Sequence, residues 1–162
     1  MRVLKIGKTN AMRMLDAANV PYEMHAYENK DGKIDGVSVA EKIGKDPSMV
    51  YKTLVTVGSE NHLYVFIIPA AEELDLKKAA KAAGEKKLDL LPVKELPKYT
   101  GYIRGGCSPI GMKKSYPTFI DKRANELEKV IVSGGKIGVQ IELKPKDLIA
   151  VTGALSGENL LK

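Results

Sequence analysis

The chain has 162 residues, with 26 Lys and Arg against 20 Asp and Glu, a formal net charge of +6, and one cysteine. This length is typical of a single domain, and an apolar fraction of 44% excludes an intrinsically disordered chain. A lone cysteine excludes a disulfide framework and thiolate zinc sites, and the basic balance permits an anionic partner such as nucleic acid without requiring one.

The start of the chain and its apolar runs exclude membrane classes. Charged residues interrupt positions 1–8 every few residues, so we expect no signal peptide. The longest strongly apolar run, from Leu63 to Ala71, is much shorter than the roughly 20 residues of a membrane helix. We therefore expect a cytoplasmic protein that has no membrane association and keeps its thiol reduced.

The first half of the chain alternates helical and strand patterns. Thr9 can cap a helix, and Ser38-Val39-Ala40-Glu41 is a capping box for a second helix that Gly44 ends. Polar and apolar residues alternate from Tyr22 to Tyr27, which is typical of a strand. The predicted elements are a helix over 9–19, a strand over 22–27, a helix over 38–44, a helical turn at 46–47, and strands over 51–57 and 63–68 joined by a turn at 58–61.

The second half predicts further helices and strands around a glycine-rich loop. Asp75 begins a helix that Gly84 ends, and Pro145 suits the first turn of the last helix. The other predicted elements are a strand over 87–90, a helix over 92–98, an irregular loop over 100–111, strands over 118–121, 129–133 and 139–143, and a turn at 133–136. No linker or internal repeat interrupts the chain, so we predict one α+β domain over residues 1–162.

The positive charge is concentrated in the middle of the chain. Residues 61–115 contain 10 basic and 6 acidic residues, which is +4 of the total +6. These lysines are either a solvated helix face or a surface for an anionic partner. Lys77, Lys78, Lys81, Lys113 and Lys114 are the candidates for contact with such a partner.

The glycine-rich loop, residues 101–111, could hold a ligand. Its glycines would let backbone amides approach an ester carbonyl, a ribose or a phosphate, and Ser108 adds a hydroxyl. The loop has neither the Walker spacing nor the dinucleotide-binding spacing, and a tight structural turn is the alternative.

The side chains usual in hydrolases are scarce. Cys107 needs a base or a cation to form thiolate, and the two histidines, His25 and His62, cannot be placed beside it from sequence. We therefore expect a buried and inert thiol. A catalytic triad built on Ser108 would also need a histidine, and neither histidine can be placed beside it from sequence. No paired spacing of histidines and carboxylates predicts a metal, so we expect neither metal nor cofactor.

Lys52 stands inside a strand pattern that is otherwise about to enter the core. Its ammonium either reaches the sheet edge on the outside or points into a pocket. In a pocket that excludes water, it would stabilise a developing oxyanion.

Several short motifs occur in an order that resembles the YbaK/EbsC family of aminoacyl-tRNA deacylases, which is similar to the editing domain of bacterial prolyl-tRNA synthetases. The resemblance covers residues from about 9 to 153. The motifs lie at residues 20–27, 40–44, 51–54, 105–111 and 133–138.

The resemblance implies an α+β domain with a mixed β-sheet or a partly closed barrel surrounded by helices. It implies hydrolysis of a mischarged aminoacyl ester at the 3′ CCA end of tRNA, with Cys-tRNA(Pro) as the usual substrate. Lys52 falls on the family's essential lysine, and its GxxxP loop falls on residues 105–109. The implied catalytic residues are Lys52, Gly105 and Gly106, and the implied substrate-binding residues are Tyr27, Thr53, Ser108, Ser133 and Gln140.

The family is thought to use no side-chain nucleophile, because the thiol of the substrate cysteine attacks its own ester. The scarcity of histidine and of an activated cysteine fits this implication. Gln140 departs from the acidic or small polar residue of several members, so the amino-acid preference could differ.

We expect aminoacyl-tRNA as partner, prolyl-tRNA synthetase as a candidate second partner, and a monomer or weak homodimer. The alternatives are an Ala-tRNA or Ser-tRNA deacylase and a non-catalytic tRNA- or synthetase-binding module.

Overall fold

The computed structural model describes residues 7–162; the signal-peptide expectation concerns residues that lie largely outside this range. Five α-helices are described in this range: α1 Asn10–Ala17, α2 Gly36–Ile43, α3 Leu76–Ala83, α4 Leu96–Thr100 and α5 Pro145–Thr152. Short 3₁₀ turns occupy Pro47–Met49, Ser59–Asn61, Val93–Glu95 and Lys122–Glu126. The strands are β1 Glu23–Ala26, β2 Tyr51–Val57, β3 Leu63–Pro69, β4 Asp89–Leu90, β5 Thr118–Asp121, β6 Val130–Lys136, β7 Val139–Leu143 and β8 Leu155–Gly157.

The strands form two sheets. The small sheet has the order β1-β7-β6 and is antiparallel throughout. The large sheet has the order β4-β2-β3-β5-β8, and it is mixed because β5 runs parallel to both β3 and β8. The predicted α+β class with a mixed sheet is confirmed. The sheets are separate, with β4 and β8 as edge strands of the large one, and they do not close into one barrel in residues 7–162.

The two faces of the large sheet bury different apolar clusters. On one face, Ile67 and Ile120 join residues of α1 and the small sheet in the main core. On the other, Phe66 and Ile68 pack against α3, and the Phe66 and Phe119 rings stack with centroids 5.2 Å apart. Each fully buried side chain of this size contributes about 1.5–3 kcal/mol through burial.

Capping side chains set the helix starts. The Thr9 hydroxyl accepts from the Met12 N–H and donates to the Gly134 carbonyl at 2.6 Å, which ties α1 to β6. The Asp75 carboxylate accepts from the N–H groups of Lys77 and Lys78, as its position before the helix predicts. The caps at Thr9 and Asp75 are confirmed.

The cap predicted at Ser38 is wrong. Asp35 caps α2, and its carboxylate accepts from both the N–H and the hydroxyl of Ser38. Asp35 is a strong capping residue that lies three positions earlier, so the helix gains almost a turn at its start. Gly44 ends this helix in the left-handed conformation, as predicted.

The turn predicted at residues 133–136 is also wrong. Those residues belong to β6, and an irregularity between Ser133 and Lys136 accommodates Gly134-Gly135. The hairpin turns at Ile137-Gly138 instead. Strand β8, which has only three residues, was not predicted from the sequence.

The small sheet meets the large one at an end of β2. Val50 forms a bridge with Ile131 of β6, while its carbonyl accepts from Ala70 on the β3 side. β4 pairs with β2 only at Thr56 and Val57. The edge of β2 between these two contacts stays open, and the candidate site lies at this gap.

Across residues 7–162, no helix combines the length and apolarity that a bilayer span requires.

Candidate active site

A pocket of about 110 Å³ lies at the open edge of β2, between the two sheets. Segments from α2, β2, the glycine-rich loop and the small sheet meet there. The lining residues are Ile34, Gly36, Val39, Val50, Tyr51, Lys52, Thr53, Gly105, Cys107, Ser133 and Gln140. Five of the eight predicted site residues are therefore brought together: Lys52, Thr53, Gly105, Ser133 and Gln140.

Lys52 and Thr53 leave β2 on opposite faces, because successive strand side chains alternate. Thr53 pairs with Ile67, whose side chain is in the main core, so Thr53 points to the small-sheet side. Lys52 pairs with Ile68, whose side chain packs with α3, so Lys52 starts on the α3 side. Lys52 nevertheless lines the pocket because β2 has no neighbour there to cover its edge.

Two predicted substrate-binding residues have buried hydroxyls without a hydrogen-bond partner among residues 7–162. They are Thr53, in the pocket, and Tyr27, which lines a neighbouring cavity of about 560 Å³ under the Lys42 ammonium. An unpaired buried hydroxyl costs about 1–3 kcal/mol. Both groups can therefore bind a polar ligand favourably.

Ser133 and Gln140 form a cross-strand pair between β6 and β7. Directly opposite residues project to the same face, which is why both reach the pocket. The Ser133 hydroxyl accepts from the Gly135 N–H, and Gln140 is buried. The pocket therefore presents an amide side chain to a bound group.

The three predicted residues of the glycine-rich loop have different surroundings. Gly105 has φ +84°, and a Cβ there would lie 2.6 Å from the Ile34 side chain. The Gly106 N–H donates to the Ile103 carbonyl at 2.9 Å, so this amide is already used in a turn. The Ser108 hydroxyl is buried away from the pocket and accepts from Ile110. Gly105 is thus the member of the three that reaches the pocket.

Cys107 lines the pocket but is not poised as a nucleophile. Burial raises the pKa of its thiol to about 12, and a hydrogen bond with Thr100 offsets only part of that effect. At neutral pH the group is a thiol rather than a thiolate. The predicted burial of Cys107 is confirmed.

A partly buried network of ionisable side chains next to the pocket-lining strand β7 was not predicted. Glu142 of β7 accepts from His25 at 2.9 Å, and the Lys45 ammonium lies 3.2 Å from the same oxygen. Burial raises the pKa of Glu142, but the hydrogen bonds from His25 and Lys45 outweigh it and leave the pKa below its usual value. Glu23 completes a group of three possible metal ligands with His25 and Glu142. The Lys45 ammonium already contacts the Glu142 carboxylate oxygen at 3.2 Å, where a metal ion would have to bind.

The network joins the elements that form the pocket walls. Lys45 follows α2, and Glu142 lies two residues after Gln140 on the same face of β7. The alternating patterns placed His25 and Glu142 on strands. The two residues are 117 positions apart in the chain, so no local pattern predicted their contact.

The family model described as "Aminoacyl-tRNA editing domain" matches residues 35–151, and the chain belongs to this family. In particular, the chain is 47% identical over 151 residues to a protein of Enterococcus faecalis (strain ATCC 700802 / V583). That relative carries the provisional name Cys-tRNA(Pro)/Cys-tRNA(Cys) deacylase EbsC, and the match covers 93% of this chain and 92% of the relative. The predicted membership of the YbaK/EbsC family is confirmed.

Solved structures share the fold. The crystal structure of hypothetical protein APE2540 superposes with a TM-score of 0.85 at 21% identity, covering 95% of this chain and all of that one (100%). A crystal structure described as a provisional trans-editing enzyme for prolyl-tRNA synthetase gives a TM-score of 0.81 at 24% identity, covering 94% and 95%. At these identities the two structures establish the fold alone.

Proposed function

We propose that the chain is a trans-editing deacylase that removes cysteine from Cys-tRNA(Pro). The observation that carries the proposal is a small pocket that combines a lysine ammonium with an un-ionised thiol and no histidine among its described lining residues. Such a pocket can hold and polarise an ester but has no activated nucleophile of its own. The name of the 47% identical relative supports the same substrate.

The nucleophile in this proposal is the thiol of the bound cysteinyl group. Its sulfur attacks the ester carbonyl of the same residue, so a C–S bond forms while the C–O bond to the ribose breaks. The products are a cysteine thiolactone and tRNA with a free hydroxyl, and the thiol proton ends on the departing oxygen. Holding the ester in a folded conformation supplies much of the rate gain of such an intramolecular step.

The protein groups stabilise charge and orient the substrate. The Lys52 ammonium faces the departing oxygen, and the Gly105 amide is the candidate donor to the carbonyl oxygen. Gly106, the third implied catalytic residue, acts by allowing the loop to pack against the backbone of Lys136 and Ile137, where a Cβ would lie within about 3 Å.

The proposal assigns the substrate-binding roles to polar groups that line the pocket and the cavity beside Tyr27. Thr53 and Ser133 offer hydroxyls, Gln140 offers its amide oxygen to the substrate amino group, and Tyr27 offers a hydroxyl from the neighbouring cavity. Ser108 supports the loop through Ile110. The enzyme works in the cytoplasm as a monomer or weak homodimer without a cofactor, on aminoacyl-tRNA alone or together with prolyl-tRNA synthetase.

The test is deacylation of Cys-tRNA(Pro), Ala-tRNA(Pro) and Pro-tRNA(Pro) by the wild type and by Lys52→Ala. We expect release of cysteine only, with a rate at least 100-fold lower for Lys52→Ala, because one charge-stabilising group is worth about 10²–10³ in rate. Lys86→Ala removes an exposed lysine elsewhere and should leave the rate unchanged.

The alternatives give different results in the same assay. Release of alanine, or rapid cleavage of Ser-tRNA, contradicts the substrate-thiol mechanism and supports a deacylase that uses water. No turnover of any ester, with tRNA binding intact, refutes both enzyme functions and leaves the binding module.

A further inference from the structure

A second cavity, of about 630 Å³, adjoins the pocket on the other side of Lys52. Its lining residues are Lys52, Leu54, Glu73, Leu74, Asp75, Leu76, Lys77, Leu90 and Lys162. We infer that this groove binds the 3′-terminal nucleoside of the tRNA together with its phosphate. The inference rests on the proposed function.

The groove is continuous with the pocket through Lys52. Lys52 is the one residue, among those described, that lines both the pocket and the groove. Thr53 faces the pocket, whereas Lys52 and Leu54 leave β2 on the α3 face. In an aminoacyl-tRNA the ester lies between the amino acid and the ribose. With the amino acid in the pocket and the ester beside Lys52, the nucleoside therefore extends into the groove.

The groove has an apolar surface. Leu54, Leu76 and Leu90 supply it, and Leu90 is 53% exposed on the short edge strand β4. An exposed leucine in a polar-rimmed cavity is suited to the flat face of a nucleobase, whose contact removes apolar area from water.

The charged side chains of the groove also suit a phosphate. The Asp75 carboxylate is engaged in capping α3, and Glu73 lies 3.5 Å from the Lys162 ammonium. Within residues 7–162, Lys52 and Lys77 take part in no ion pair. Because Lys52 lies beside the ester, Lys77 is the cation available for the phosphate of the terminal nucleotide.

The cavity beside Tyr27 is less suitable for a nucleotide. Its Lys42 ammonium donates to Asp31 at 2.7 Å and to two backbone carbonyls at 2.8 and 2.9 Å. All three N–H donors of this cation are thus used, and little is left for a phosphate. The groove beyond Lys52 is the better match.

The experiment compares two exposed leucines on opposite edges of the large sheet. Leu90→Asp places a carboxylate in the groove, and Leu155→Asp places one on β8, where Leu155 is 64% exposed. We expect Leu90→Asp to raise KM for Cys-tRNA(Pro) about tenfold with kcat within twofold, and Leu155→Asp to change neither. A tenfold rise in KM corresponds to the loss of about one stacking contact with a base.

A direct binding measurement accompanies the kinetics. The trinucleotide CCA with a free 3′-hydroxyl is titrated into isotope-labelled protein, and amide shifts are followed by NMR. We expect the largest shifts at Leu54, Leu76 and Leu90, and loss of the shifts in Leu90→Asp but not in Leu155→Asp.

The outcomes separate the inference from the function. If Cys-tRNA(Pro) is cleaved and both leucine variants behave as wild type, the groove assignment is overturned and the deacylase proposal stands. Shifts centred on Tyr27 and Lys42 overturn the assignment as well. If no ester is cleaved but the trinucleotide shifts the groove residues, the deacylase proposal fails and the nucleoside site remains.

Discussion

Replacing Glu142 by glutamine tests whether its buried carboxylate holds the small sheet to the chain after α2. The substitution keeps the size of the side chain and one acceptor oxygen but removes the charge that faces His25 and Lys45. The two contacts, at 2.9 and 3.2 Å, join β1 and β7 to the residue that follows Gly44. The expected effect is therefore a loss of folding stability rather than of a single surface contact.

The size of the expected stability loss depends on how deeply the contacts of Glu142 are buried. Hydrogen bonds to a charged group contribute about 1.5–3 kcal/mol each when buried. Because the Lys45 side chain is 32% exposed, solvent screens its part, and that contribution is nearer the surface range of about 0–1 kcal/mol. We expect Glu142→Gln to lower the free energy of unfolding by about 2 kcal/mol. Glu128→Gln is the matched control, since Glu128 is exposed, and it should change stability by less than about 0.5 kcal/mol.

Urea unfolding at several pH values measures the effect. The pKa of Glu142 in the fold lies below its usual value of 4.5, so its stabilisation is complete above the unfolded-state pKa and is lost as pH falls through the folded-state pKa. The gap between wild type and Glu142→Gln should be full at pH 7 and should close on acidification below pH 4.5. Equal midpoints for Glu142→Gln and Glu128→Gln at pH 7, or a gap that persists after the Glu142 carboxylate is protonated, would refute this reasoning.

Two further predictions concern the pocket. Cys107→Ala should retain most of the deacylase activity, because a thiol with a pKa raised to about 12 supplies no nucleophile; a thousandfold loss in a deacylation assay would restore Cys107 as the attacking group. Gly105→Ala should cost about 1–2 kcal/mol of stability from its positive φ, as should Gly44→Ala, where nothing lies within 4 Å of the added Cβ. Only Gly105→Ala should also lower kcat/KM, by at least tenfold, since the added methyl displaces Ile34 at the pocket wall; equal kcat/KM for the two variants would contradict that displacement.

Local sequence predicted the bounds of those elements that depend only on the residues within them and next to them. The strand over 51–57 was predicted with its observed bounds, because its β-favouring residues end at a glycine. Asp35 and Ser38 have similar capping propensities, so local sequence did not show which of them begins α2. Gly134-Gly135 has the composition of a turn, yet the register of β6 against β7 continues past it and places the turn at Ile137-Gly138.

The pocket could be predicted in part. Lys52 was singled out by its place inside a strand pattern, whereas Thr53, Ser133 and Gln140 were selected by the family resemblance and by no local pattern. Ile34 and Gly36 lie in a segment without periodicity, so nothing local indicated that Ile34 would contact Gly105 or that Gly36 would line the pocket. The partnership of His25 with Glu142 depends on strand order in the small sheet, which no local pattern specifies.

The pairing of β1 with β7 has a consequence for the newly made chain. β1 leaves the ribosome early, but its partner strand follows only after most of the chain, with His25 and Glu142 separated by 117 positions. At about 5–20 residues per second of translation, this delay is roughly 6–23 s. The large-sheet hairpin of β2 and β3 is complete long before then, so the wall that contains Ser133 and Gln140 is added to a preformed Lys52 edge. Nascent chains that stop before β7 should therefore contain the lysine but no pocket for an ester.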